Sequence, residues 1–250
     1  MTVTTAKPTT LPGHREAMEL GATEYQRLID VLHSLEAQDW TRMTDCTLWD
    51  VRAMVAHLLA NMDQNASMRE LVHQIGTAKK RARASGSPMV DELTALQIAE
   101  RASLGPDELV SRIEAAVPGA VKGRRKVPGL MRRLIRIDAG SFGRMTLGYL
   151  VDTVYTRDVW MHRLDICRAT GRQMVLDANH DGRLVAAIVG DWGERHGQPY
   201  ELVLGGPAGG VFSRGEGGER HDLDALEFCR IVSGRDSSDA KGLLQTEVLY

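Results

Sequence analysis

Cysteine is scarce in this chain of 250 residues, with only Cys46, Cys167 and Cys229 present. They are widely spaced and odd in number. That excludes a disulfide framework and a paired CxxC zinc site, and it fits a reducing compartment, so a cytoplasmic protein is expected. No run of about 18 apolar residues occurs, so no membrane span is expected. The opening MTVTTAKPTTLPG lacks the apolar stretch that a secretory signal needs. Charge of one sign is also missing: 31 Lys and Arg face 33 Asp and Glu, a net charge of −2. That balance argues against a dedicated nucleic-acid binder and against an acidic tail. What is present is apolar: 43% of residues are hydrophobic, enough for one large core or two modest ones.

Residues 1–12 are expected to be a disordered tail. From His14 to about Ala37 the residues Met18, Ala22, Tyr25, Leu28, Ile29, Leu32 and Leu35 recur at helical spacing. Thr47 with Asp50 three residues on is a capping-box variant, so a second helix is expected from Leu48, running past Glu70. Lys79 to Pro88 reads as a loop and Val90 to Ala102 as a third helix. The next helix is expected to stop at Pro118-Gly119, where the segment becomes strongly basic, with seven Lys or Arg between Lys122 and Arg136. A long helix from Thr146 to Ala169 should end at Gly171. Beyond it the texture changes: a helix capped by Asp177, strands YELVL and VFSRG around the turn GGPAGG, and a helix N-capped by Asp222 and closed by Gly234. The expected fold is therefore mainly α, a helical bundle over residues 13–172 followed by a small α+β domain over 173–250.

One stripe breaks the apolar pattern. In TRDVWMHRLD, residues 156–165, Asp158, His162 and Asp165 fall at i, i+4 and i+7, on the side that Val151, Val154, Tyr155 and Met161 mark as buried. Buried charge costs several kcal/mol, on the order of what only a partner or a metal offsets. The stripe can be a mutual Asp158–His162 pair in the core, or a metal site in which a carboxylate oxygen and an imidazole nitrogen one turn apart share an ion. A third ligand should then come from another helix. His57, in the apolar VRAMVAHLLANM, is the best placed, with Ala53 and Ala60 as small neighbours that let a helix approach. Three ligands without a fourth describe an open site that keeps a position for a substrate.

Three segments, DWTRMTDCTLWDVRAMVAHLL, YLVDTVYTRDVWMHRLDICRATGR and LDALEFCRIVSGR, together resemble the mycothiol-dependent maleylpyruvate isomerase family of the DinB-like superfamily. The resemblance runs from about residue 15 to 236. It implies a metal-binding four-helix bundle followed by a small α/β domain. The family motif is a histidine on the second helix and a Glu-x-x-x-His pair on the last bundle helix. His57 and His162 match it. Asp158 stands where the family has Glu, one methylene shorter. The resemblance further implies a divalent metal of the Zn²⁺ type and mycothiol as thiol cosubstrate. The metal-activated thiolate would add to a small, electrophilic, anionic substrate, giving isomerisation or S-transfer. A non-catalytic metal- or ligand-binding member of the same fold is the alternative.

Two further residues fit this picture. Asp165 could hydrogen-bond a ligand imidazole from outside the coordination shell, or pair with Arg168. Arg235, in the tripeptide SGR, matches an arginine that the family aims at its active site, where a guanidinium fork could hold a carboxylate. Cys167 points away from Asp158; Cys46, just before the second helix, could lie near the site but reads rather as a buried apolar group, as does Cys229. The remaining histidines have no partner at ligand spacing. The basic segment lacks the aromatic interleaving that would stack bases, so it reads as a solvated loop or a rim for an anionic substrate.

Overall fold

The structure is a computed structural model that describes residues 9–236 and 240–250. The expected tail lies largely outside these residues. Two compact units are present: His14–Met174, and Val175–Tyr250 together with the described residues before His14.

The first unit is helical. It runs α1 (His14–His33), α2 (Val51–Ala66), α3 (Met68–Ser85), α4 (Met89–Glu100), α5 (Pro106–Lys126) and α6 (Gly129–Leu134). A hairpin of β1 (Arg136–Asp138) and β2 (Arg144–Thr146) follows, then α7 (Leu147–Tyr149), a π-helical turn over Leu150–Val154, and α8 (Tyr155–Thr170). Helices α1 and α2 each pack against both α5 and α8, which closes a four-helix bundle. Its core joins Tyr25, Leu28 and Leu32 of α1, Met54, Leu58 and Met62 of α2, Leu109 and Ile113 of α5, and Val159 and Ile166 of α8. The α3–α4 pair packs on α2.

Several boundaries differ from the sequence expectation, each for a local reason. The N-cap of α2 is Asp50, whose carboxylate accepts from Ala53 N at 2.8 Å. Thr47 therefore does not cap the helix. Ser67 separates α2 from α3, and α3 continues to Ser85 before Gly86 (φ 78°) ends it, so most of the expected Lys79–Pro88 loop is helix. The Pro118-Gly119 pair does not stop α5. Its glycines serve close packing instead. A Cβ at Gly123 would lie 1.8 Å from the Asn65 carbonyl oxygen, and one at Gly119 would lie 2.9 Å from Ala66 Cβ.

The basic segment is not a solvated loop. It forms the end of α5, α6 and the start of the hairpin. Arg124 is fully buried and donates to the Val151 carbonyl at 3.1 and 2.7 Å, within the π-helical turn that precedes α8. It also reaches Thr156 Oγ1 at 2.7 Å and Tyr25 Oη at 3.2 Å. Gly21 leaves room for it, since a Cβ there would lie 2.8 Å from Arg124 Nη1. A π-turn interrupts the regular i to i−4 ladder, and Arg124 satisfies a carbonyl of that turn.

The second unit contains α9 (Asp181–His196), β3 (Tyr200–Gly205), β4 (Gly210–Arg214), β5 (Glu219–Asp224) and α10 (Ala225–Val232). Strand order is β4-β3-β5, with β4 antiparallel and β5 parallel to β3. Strand β5, ERHDLD, was not expected. Its charges hide it from an apolar strand pattern, and only its alternate positions are half-buried. The N-cap of α10 is consequently Asp224, whose carboxylate accepts from Leu226 N at 2.8 Å, not Asp222. The N-cap of α9 is His180, not Asp177; Asp177 closes the turn before it, accepting from Asn179 N and His180 N at 2.8 Å each.

Candidate metal centre

α2 and α8 carry the site. Ten of the sixteen residues of α2 are buried, His57 among them. Downstream of the π-turn, α8 turns Asp158 and His162 toward α2. The two imidazole rings meet edge to face with centroids 5.5 Å apart. Asp158 lies between them: its Oδ1 is 3.3 Å from His162 Nε2 and its Oδ2 is 3.6 Å from His57 Nε2. One donor atom from each of the three residues lies within 4.8 Å of the others. Both histidines are buried and Asp158 is half-buried.

The electrostatics are those of a tightly coupled cluster. Burial alone would raise the Asp158 pKa, but the charge and hydrogen bond of His162, with the His57 imidazole beside it, hold it far below the carboxylate range. Burial alone would lower His162, but the Asp158 charge and hydrogen bonds to Asp158 and Asp165 hold it well above the ordinary imidazole value. A proton therefore competes with any cation for this histidine.

The outer contacts orient the rings. Asp165, completely buried, lies 3.0 Å from His162 Nδ1 through its Oδ2. Because a carboxylate only accepts, Nδ1 donates to Asp165 and, without a metal, Nε2 donates to Asp158, so a cation at Nε2 has to displace that proton. Arg168 pairs with Asp45 at 2.9 Å. On the other side, His57 Nδ1 lies 2.8 Å from Gln97 Oε1. Asn61 Nδ2 donates to His57 Nε2 at 3.2 Å and to Asp158 Oδ2 at 3.1 Å. These two atoms are the ones a divalent cation would use, so a cation there takes the place of the Asn61 donor.

The segment between α1 and α2 completes the surroundings. Thr44 N donates to the Trp49 carbonyl at 3.0 Å and Trp49 N to the Cys46 carbonyl at 2.7 Å, which folds this loop over the site. The Trp49 ring stands 5.0 Å from His57 and 5.8 Å from His162. Cys46 Sγ is 3.9 Å from Asp165 Oδ2, and Cys46, His162 and Asp165 form a second donor set that shares His162 with the first. Both sets consist of ordinary zinc ligands; in the first, each ring is held at Nδ1 by an outer partner so that Nε2 faces inward. Arg235 follows α10 in the other unit, half-buried, with its backbone N–H on the Arg230 carbonyl at 3.0 Å.

Asn61, Gln97 and Trp49 were not anticipated from the sequence, whereas Cys46 does lie near the site. Asn61 had a usable signal, since it sits one turn after His57 on an otherwise apolar helix. Gln97 had a weaker one, as an amide beside Leu96 on a helix that must bury a face.

The model of the mycothiol maleylpyruvate isomerase N-terminal domain matches residues 22–167. Two crystal structures are similar, one of the mycothiol-dependent maleylpyruvate isomerase and one of a histidine-to-alanine variant of it. Each is 14% identical with a TM-score of 0.56, covering 90% and 91% of this chain and 91% of theirs. Identity that low establishes the shared fold, mainly α with a small α+β part, and nothing finer. No curated protein matches. Among the described residues, no helix is long and apolar enough to cross a membrane. The family model spans more than half the chain, and the chain belongs to the mycothiol-dependent maleylpyruvate isomerase family.

Proposed function

We propose that this chain is a metal-dependent enzyme that uses mycothiol as thiol cosubstrate on a small, electrophilic, anionic molecule, with His57, Asp158 and His162 as the ligands of a divalent ion of the Zn²⁺ type. One observation carries the reading: two imidazole Nε2 atoms and a carboxylate converge within 4.8 Å, from two helices, in a chain of this family. A divalent ion held there supplies acidity to a thiol bound to it, so that the thiol reacts as thiolate near neutral pH.

The protein's residues do the rest. Asp158 supplies the negative charge opposite the ion. Asp165 holds the His162 ring. Trp49 covers the cluster and limits water on that side. Arg235 is the proposed holder of a substrate carboxylate, through a bidentate pair that Lys cannot reproduce. All three cysteines are thiols, not disulfides, which supports a reducing, cytoplasmic setting. The proposed domains are the bundle over 13–172 and a C-terminal domain from 173, a boundary that the division at Met174 supports; the described residues 9–13 group with the C-terminal unit and do not form a separate tail.

The test is incubation of the zinc-loaded protein with mycothiol and a panel of small anionic electrophiles, read by mass spectrometry for isomerised product and thioether. Turnover that needs both metal and thiol supports the reading and separates isomerisation from S-transfer. Metal binding with no thiol-dependent turnover across the panel rejects catalysis in favour of a binding role.

A further inference from the structure

Behind His57 lies a hydrogen-bond chain with a defined direction. Gln97 is completely buried in α4, and Gln74 is completely buried in α3. Amides can be drawn in either orientation, so direction has to come from fixed groups. Here the fixed end is Gln74. Its Nε2 donates to two acceptor-only groups, the Ala60 carbonyl at 3.1 Å and Glu70 Oε1 at 2.8 Å. Its Oε1 must then face Gln97, whose Nε2 donates to it at 2.8 Å and to Asn61 Oδ1 at 3.2 Å. That leaves Gln97 Oε1 facing His57 Nδ1 at 2.8 Å.

Glu70 is kept as an acceptor. Burial pushes its pKa up, but the Gln74 hydrogen bond and the neighbouring Arg101 outweigh this and hold it below its usual value. Arg101 Nη2 lies 3.3 Å from Glu70 and 2.6 Å from Asp63. Its Nη1 donates to the Gln97 carbonyl at 3.3 Å, which ties the two ends of the chain together.

We propose that Gln97 is a positioning residue for His57: the chain Glu70–Gln74–Gln97 fixes His57 as the Nδ1–H tautomer and so leaves its Nε2 lone pair facing the cluster, where Asn61 Nδ2 now donates to it. A donor at this position would leave the lone pair on Nδ1, facing away from the cluster. The consequence for metal binding rests on the proposed ligand set, whereas the tautomer itself does not.

The experiment uses the full chain. Two-bond proton–nitrogen correlation spectra of the ¹⁵N-labelled, metal-free protein, recorded above the imidazole titration range, report the tautomer; a His57→Gln variant assigns the signal. Zinc affinity is measured in parallel by competition with a chromophoric chelator. The wild-type His57 should be the Nδ1–H form. Gln97→Leu should give the other tautomer or a mixture and weaken zinc by about 10–100-fold, the usual effect of losing an outer-shell partner. Gln74→Leu, which does not touch His57, should shift the tautomer in the same direction and weaken zinc by a smaller factor.

A wild-type His57 protonated at Nε2 overturns the proposal, as does an unchanged tautomer in both variants. If either variant fails to fold, the wild-type tautomer still decides. Wild-type protein with the Nδ1–H form but no zinc binding leaves the chain's role standing and refutes the metal reading instead.

Discussion

Helix α8 carries two buried polar clusters on neighbouring residues, and they are built differently. Arg163 meets Glu24 of α1 with Nε–Oε1 at 2.6 Å and Nη2–Oε2 at 3.3 Å, both side chains essentially inaccessible. There Arg163 brings a cation into direct contact with the carboxylate. One residue earlier, His162 sits with two carboxylates, Asp158 and Asp165, and a second imidazole. This cluster has acceptors in excess and aims them at one point. A buried pair of opposite charges ties helices together, whereas a buried surplus of converging acceptors is arranged for a cation from outside.

The contrast predicts that mutations will separate. His162→Ala should abolish both stoichiometric zinc binding and thiol-dependent turnover while far-ultraviolet circular dichroism keeps its helical amplitude. Retained turnover with bound metal would show that the two clusters do not differ in kind. Glu24→Ala should do the reverse, leaving Arg163 buried without its carboxylate at a cost of about 3–5 kcal/mol in urea denaturation. In the fraction that stays folded, zinc affinity should be unchanged. Asp158→Asn should weaken zinc by more than the roughly 10–100-fold typical of a lost outer-shell partner. Asp158→Glu, which restores the family's residue, should weaken it far less than Asp158→Asn does.

Smaller effects follow from protons and from substrate charge. Because the pKa of His162 is held well above the ordinary imidazole value, zinc must displace a proton from it. Zinc affinity should therefore rise with pH, by up to about tenfold per unit, and continue rising above the usual imidazole range. A titration that levels off within that range contradicts the assignment. In the metal-free chain the sign is opposite. A raised folded-state pKa stabilises fully below the unfolded value, and that contribution is lost as pH rises through the folded one. Arg235→Lys should lower kcat/KM for an anionic electrophile by about 1.5–3 kcal/mol with zinc still bound. An unchanged kcat/KM would return Arg235 to the role of a helix-end cation.

What could be read in the sequence follows from locality. Asp158 and His162 stand one turn apart on an apolar face, and His57 stands alone on an apolar helix, so each is anomalous within its own window. The helical class and the change of texture after Gly171 are likewise local patterns. What was missed is tertiary. Asp50 rather than Thr47 caps α2 because the Met43–Asp50 loop is pinned by its own backbone bonds. Pro118-Gly119 looks like a helix stop, yet α5 continues because its glycines let it lie against Asn65 and Ala66. Strand β5 is invisible to an apolar alternation because its exposed positions are charged. Gln97 acquires its meaning only when α4 folds back on α2, 40 residues from His57.

The most direct test is a crystal structure of the protein loaded with zinc, with the ion placed by its anomalous signal. One ion should lie about 2.0–2.2 Å from His57 Nε2, His162 Nε2 and a carboxylate oxygen of Asp158, with Asn61 Nδ2 withdrawn from the two atoms it now contacts. An ion on Cys46, Asp165 and the Nδ1 of His162, or no ion on α2 and α8, would contradict the assignment.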